Sequence, residues 1–123
     1  MKENKIGDQY STPIILPEQK VLKEWLDYNG HMNVAYYTLA FDKSLDIFLE
    51  DLLGIGETHA YENNQGPFVV QAHYHYLSEM KLDEQFNVRL FVVDCDKNKM
   101  HLCLEIYSLL QEKVISFVEQ VLI

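Results

Sequence analysis

One stretch of this chain carries the rhythm of a long helix, and everything after it is patterned for strands. From Val34 the apolar side chains of Tyr37, Phe41, Leu45, Phe48 and Leu52 recur every three or four residues, with Asp42, Lys43, Asp46 and Glu50 on the opposite face. A stripe of that length makes about five turns. It stops near Gly54 and Gly56, which suit a helix C-terminus. At the other end Asn33 is placed to accept a first-turn N–H with its side-chain oxygen. A lone amphipathic helix must bury its stripe on something. The sequence offers only a sheet.

After a polar loop at 57–65 and Gly66-Pro67 the period falls to two. Phe68, Val70, Ala72, Tyr74 and Tyr76 alternate with Val69, Gln71, His73, His75 and Leu77. A second run sets Phe86, Val88, Leu90 and Val92 on one face. Residues 94–99 read as a turn, and Leu102, Leu104 and Ile106 continue the apolar face. Residues 114–123 make a last strand, apolar on both faces apart from Glu119 and Gln120. Before the helix, the apolar residues Val21, Leu22, Trp25 and Leu26 read as a short first strand. The expected architecture is α+β: one long central helix wrapped by a curved antiparallel sheet of about five strands. Residues 1–18 are expected to be a lead-in, and 19–123 a single domain. Exposed strand edges favour pairing of two copies across a two-fold axis, so a homodimer is expected, with a dimer of dimers open.

Composition narrows the function. At 123 residues, 48% hydrophobic and 24% charged, the chain fits one globular domain. No apolar run approaches the ~20 residues of a membrane helix. The run Ile14–Leu16 stops at Pro17, too short for a signal-peptide core, so a cytoplasmic location with Cys95 and Cys103 as reduced thiols is expected. A net charge of −9 with one arginine, Arg89, excludes a nucleic-acid partner, which needs a basic face. A nucleotide-bearing ligand would have to rely on Lys81, Lys97 or Lys99.

The chemistry concentrates in Asp27-Tyr28-Asn29-Gly30-His31-Met32-Asn33, just ahead of the helix. Here a carboxylate and the free N–H groups of a helix start can point into the same small volume, the requirement of acyl transfer. Asp27 can attack an acyl carbon or take a proton from water. The start at Asn33 and Val34 offers N–H donors for the oxyanion. Asn29 and His31 can orient water or polarise the carbonyl, while Gly30 serves backbone conformation. Each has a plainer reading too: Asp27 and Asn33 as caps, and Asn29-Gly30 as a turn dipeptide. Glu79 is a candidate second carboxylate or an ordinary surface acid. His73 and His75 have a spacing that can hold zinc, but nothing supplies further ligands at a recognised spacing, so no metal is expected. Tyr36 and Tyr37 read as rim and core, and one of them could line an acyl pocket.

The order of elements, with Asp27, Asn29, Gly30, His31, Met32 and Asn33 at the junction, resembles the hotdog-fold acyl-CoA thioesterases of the 4-hydroxybenzoyl-CoA thioesterase-like superfamily. Trp25-Leu26-Asp27-Tyr28-Asn29-Gly30-His31-Met32 is most similar to the betainyl-CoA thioesterase branch, and His73 to Glu79 falls where that branch has a similar strand. The resemblance covers about Val21 to Ile123. It implies Asp27 as the catalytic carboxylate, Gly30 as the motif glycine and the Val34 N–H as the group that polarises the thioester carbonyl. It also matches Asp27, Asn29 and His31 to the Asp-x-Asn-x-His of acyl-ACP thioesterases, with Glu79 near their strand glutamate. Asp83-Glu84 departs from the usual Gly-Asp turn, and the chain is short for the family.

The implied activity is hydrolysis of a small or medium acyl-CoA, with coenzyme A present only as part of the substrate and no cofactor. The alternative is a non-catalytic hotdog module that binds acyl thioesters or serves in assembly, favoured by the acidic surface and opposed by the intact motif. A hotdog dehydratase fits less well, because those enzymes place a histidine and a carboxylate differently.

Overall fold

The computed structural model describes residues 13–56, 58, 62, 63 and 66–123. Most of the polar loop at 57–65, and residues 1–12 of the expected lead-in, lie outside the described residues. One antiparallel sheet contains β1 (Ile14–Ile15), β2 (Gln19–Lys20), β3 (Val69–Tyr76), β4 (Gln85–Cys95), β5 (Met100–Ser108) and β6 (Lys113–Leu122). Its order is β1-β4-β5-β6-β3, with β2 also paired to β4. The four long strands are those with period-two patterning, and the turn expected at 94–99 joins β4 to β5.

The first strand is where expectation and structure part. Val21 to Leu26 is not a strand, because Lys23–Trp25 form a 3-10 turn. The pairing with β4 is made earlier, by two short pieces on either side of Pro17, giving six strands rather than about five. Proline has no N–H for the ladder, so it splits the strand. Contact with the sheet edge persists around the break: Leu16 donates to the Val88 carbonyl (2.9 Å) and Val21 to that of Glu84 (3.0 Å). Leu16, within the segment read as lead-in, is buried.

The helix α1 (Val34–Ile47) starts on Asn33, whose side chain accepts from the Ala35 N–H (2.9 Å), as its cap role requires. It runs on as one wider π-helical turn, Phe48–Leu52. That extra residue per turn rotates Leu52 away from the stripe, and Leu52 is exposed rather than buried. The chain then leaves through Gly54 at φ +68°, left-handed backbone that glycine adopts without strain.

Tyr37, Ala40, Phe41, Leu45, Phe48 and Leu49 from the helix join Val88, Leu90, Leu102, Leu104, Ile106 and Val118 from the sheet in one core. Phe41 is 1% exposed, and full burial of a side chain of that size contributes about 1.5–3 kcal/mol. The one polar residue of the stripe, Ser44, accepts from Gln19 Nε2 (2.9 Å), which also reaches the Ala40 carbonyl (3.1 Å). These bonds tie β2 to the helix. Among the described residues β3 pairs with β6 along one side only, leaving its other edge as the end of the sheet.

Candidate active site

Leu26 and Met32 pair across a short hairpin, and residues 27–31 form its tip. The Asp27 N–H donates to the His31 carbonyl (2.8 Å), and the Gly30 N–H to the Asp27 carbonyl (3.0 Å). Gly30 sits at φ +80°, the left-handed position that closes such a loop, so its conformational role is met. The Asp27 carboxylate turns back into the loop: Oδ1 accepts from the N–H groups of Asn29 (2.8 Å) and His31 (3.2 Å). The cap reading of Asp27 is therefore realised. Both bonds fall on one oxygen, and they hold the carboxylate in a fixed direction at the helix entrance.

The donors at that entrance are sorted by what already claims them. The Asn33 N–H is given to the Trp25 carbonyl (2.9 Å), and that of Ala35 to the Asn33 side chain (2.9 Å). The Val34 N–H, first of the helix proper, has no earlier turn to bond to. Of these three N–H groups it is the one that neither the Trp25 carbonyl nor the Asn33 side chain claims. Val34 itself is 57% exposed, so the backbone here can be approached. Behind it Trp25 is buried and stacks on Tyr36 (centroids 5.9 Å apart, 12° between planes).

The link from β3 to β4 packs against this loop. The Met32 N–H donates to the Met80 carbonyl (3.0 Å), which binds the loop to this link. Beside that bond His31 Nε2 lies 3.1 Å from Glu79 Oε1, both side chains partly open to solvent. Glu79 stands beyond the end of β3 at Tyr76, in the link rather than on the strand, and its carboxylate reaches His31 from there. Tyr37 is buried with its ring edge-on to Tyr76 (5.4 Å). Burial pushes its hydroxyl pKa up; the Met80 backbone offsets part of this, while Glu79, Glu84 and Tyr76 add to it. The phenol stays protonated at neutral pH.

Other candidates lie elsewhere. His75 stacks on Phe117 (4.5 Å), and His73 faces Glu119 across the β3–β6 ladder. No group of three or more His, Cys, Asp or Glu among the described residues converges enough to hold a metal. Lys97 and Lys99 belong to the β4–β5 turn at the far end of the sheet, remote from Asp27. Cys95 and Cys103 are both free thiols. Sequence reasoning gave no role to Gln111 or Glu84, although the Gln111 side chain reaches the Glu79 carbonyl (2.9 Å) and Glu84 Oε2 (2.6 Å). The only local signal was an acid, Glu84, at the start of a strand whose alternate positions are core.

Residues 21–123 match the model of the thioesterase-like superfamily. A betainyl-CoA thioesterase of Pseudomonas aeruginosa is 27% identical over 86% of this chain and 66% of its own length. An L-carnitine dehydrogenase/betainyl-CoA thioesterase of Rhizobium meliloti is 31% identical over 92% of this chain and 22% of its own. The chain thus spans just under two thirds of one relative and about a fifth of the other. Among solved structures, a hypothetical protein of Staphylococcus aureus in complex with CoA superposes with a TM-score of 0.83 at 26% identity, covering 91% of this chain and 70% of that one. The architecture described above is the hotdog fold.

Proposed function

The chain belongs to the thioesterase-like superfamily, and on that premise we propose that it hydrolyses an acyl-CoA thioester to the free acid and CoA. The observation that carries this reading is the Asp27 carboxylate, fixed by two backbone N–H groups at the mouth of a helix whose first N–H, that of Val34, is uncommitted to an earlier turn. The thioester carbonyl oxygen is taken by that N–H, and negative charge develops on it as the carbon is attacked. Asp27 acts in one of two ways. As nucleophile it forms a mixed anhydride, CoA leaves as thiolate, and water then cleaves the anhydride. As base it removes the proton from the attacking water and the tetrahedral intermediate expels the thiolate. Asn29 and His31, with Glu79 against His31, hold the water on the open side of the loop. The reaction needs no cofactor beyond the coenzyme A of its substrate.

The resemblance of Trp25 to Met32 to the betainyl-CoA branch favours a small acyl group, with a cationic one suited to the acidic chain. The acyl pocket is proposed to close only in a homodimer, formed edge to edge through β3. Val70 and Tyr76 on that strand, and Leu77 just past it, are exposed apolar side chains, and covering them accounts for their composition. No helix among the described residues is long and apolar enough to cross a membrane, and a cytoplasmic setting is proposed.

The test is CoA release from a panel of acyl-CoAs running from acetyl to palmitoyl, with benzoyl and betainyl included. The enzyme carries Cys95→Ser so that a thiol reagent reports product rather than the exposed cysteine. Turnover that collapses in Asp27→Asn supports the reading, because asparagine keeps the oxygen that holds the loop and loses the base. Activity indifferent to that change overturns the site. Full activity in a protein that sediments as a monomer overturns the dimeric pocket.

A further inference from the structure

The link between β3 and β4 is held by far more than its own backbone. The N–H groups of Leu77 and Ser78 both donate to the Ile115 carbonyl (2.8 and 3.2 Å). From the β5–β6 turn the Gln111 amide donates to the Glu79 carbonyl (2.9 Å) and to Glu84 Oε2 (2.6 Å), while its oxygen meets the Ser78 hydroxyl at 3.4 Å. An NH2 group facing two acceptors and an oxygen facing a hydroxyl agree on a single orientation for that amide. Glu84 is the anchor. Its Oε1 accepts from the Lys81 N–H (3.1 Å) and its Oε2 from the Ser108 hydroxyl (2.6 Å), and both Glu84 and Ser108 are buried. Ser108 Oγ in turn accepts the Gln111 N–H (3.0 Å).

A buried carboxylate costs several kcal/mol unless donors surround it. Here three donors do: one from this link, one from the last residue of β5 and one from the turn that grips the link. The segment so fixed makes two contacts with the Asp27 loop: Met80 takes the Met32 N–H, and Glu79 meets His31. We infer that Gln111, oriented by Glu84 and Ser108, is a positioning residue for the Asp27 site, which it serves by holding the Glu79 backbone so that the Glu79 carboxylate stays against His31. Its effect on rate rests on the proposed hydrolase reading; its effect on placement does not. Gln111 touches no reacting atom in this scheme, and it works through the carbonyl of the residue whose side chain does the work.

Two readouts separate positioning from plain structural support. Gln111→Met keeps the shape and removes both donors. Amide hydrogen exchange is expected to quicken at Met32 and across 77–82 while the centre of β4 and β5 is unchanged. On the best substrate kcat is expected to fall on the order of 10-fold to 100-fold, the effect of a small misplacement at a reacting centre, with KM little altered. In a Glu79→Gln background the same change should cost less than about 2-fold, because the side chain it positions no longer acts. Should the single variant fail to fold, Glu84→Gln/Gln111→Met avoids an orphaned buried charge and must give the same results. Unchanged exchange at Met32 in a folded variant overturns the inference. So do rate losses that multiply independently of Glu79. A wild type silent on every thioester sinks the hydrolase reading alone, and the exchange data still decide the placement.

Discussion

The two ends of the sheet are both built from turns with aspartates at their corners, yet they are held in different ways. At the far end Asp96 Oδ1 accepts the Asn98 N–H (2.8 Å) and the Asp96 N–H reaches the Lys99 carbonyl (2.9 Å). Those bonds close a hairpin and involve nothing outside it. At the near end Asp27 Oδ1 does the same local work for Asn29 and His31. But that loop is also bound to Trp25, to Met80 and, through His31, to Glu79, and the link it touches is bound to the β5–β6 turn. The far end has a cleft of about 500 Å³ bordered by Pro67, Lys97, Lys99, Met100 and Leu122. Both carboxylates are satisfied within their own turns, but the Asp27 turn is also gripped by other elements, whereas the Asp96 turn is only a way for the chain to reverse.

The sharpest attempt to break this contrast is Asp27→Asn. Loss of a base or nucleophile should lower kcat/KM by roughly 10²–10⁴-fold, with the melting temperature nearly unchanged because the amide oxygen still receives both N–H groups. Steady-state kinetics and thermal unfolding read the two halves of that statement. Next comes Val34→Pro. Proline is well tolerated as the first helical residue, and Asn33, at φ −68° and ψ 143°, already has the conformation required before it. The substitution removes one N–H and little else. A fall of about 10²–10³-fold in kcat is expected, the usual cost of an oxyanion donor. A protein that stays folded and fully active would show that the donor lies elsewhere.

Smaller effects test the structural side. Asn33→Ala should cost about 1 kcal/mol of stability by denaturant unfolding, the worth of an N-cap, since its side chain satisfies the Ala35 N–H. Asp96→Ala at the far end should change stability by less than ~1 kcal/mol and leave turnover alone. A large loss of activity there would erase the contrast between the ends. The thiols give the finest probe. Burial, reinforced by Glu105 and Glu119, pushes the Cys103 pKa up to about 11, while Cys95 is exposed. A thiol reagent at pH 7 to 8 should modify Cys95 first, and Cys103 should gain reactivity only as the pH climbs through 9 toward 11. The same raised value means that Cys103 contributes stability below pH 9 that is lost as the pH rises through that window.

What was legible in the chain was what short-range physics writes there. The helix, its Asn33 cap, the four long strands and the reversal at Asn29-Gly30 each depend on residues a few places apart, through periodicity, capping and left-handed backbone. The polar motif marked the candidate site for the same reason. Tertiary structure decided the rest. It split the first strand around Pro17 and turned Leu52 outward through one wide helical turn. It also brought Glu79 to His31, and Gln111 to Glu79 and Glu84 from 32 and 27 residues away. No local pattern distinguishes such a glutamine from any other in a surface turn. Its meaning lies in which strands stand side by side, a matter settled by burying the helix stripe against the sheet.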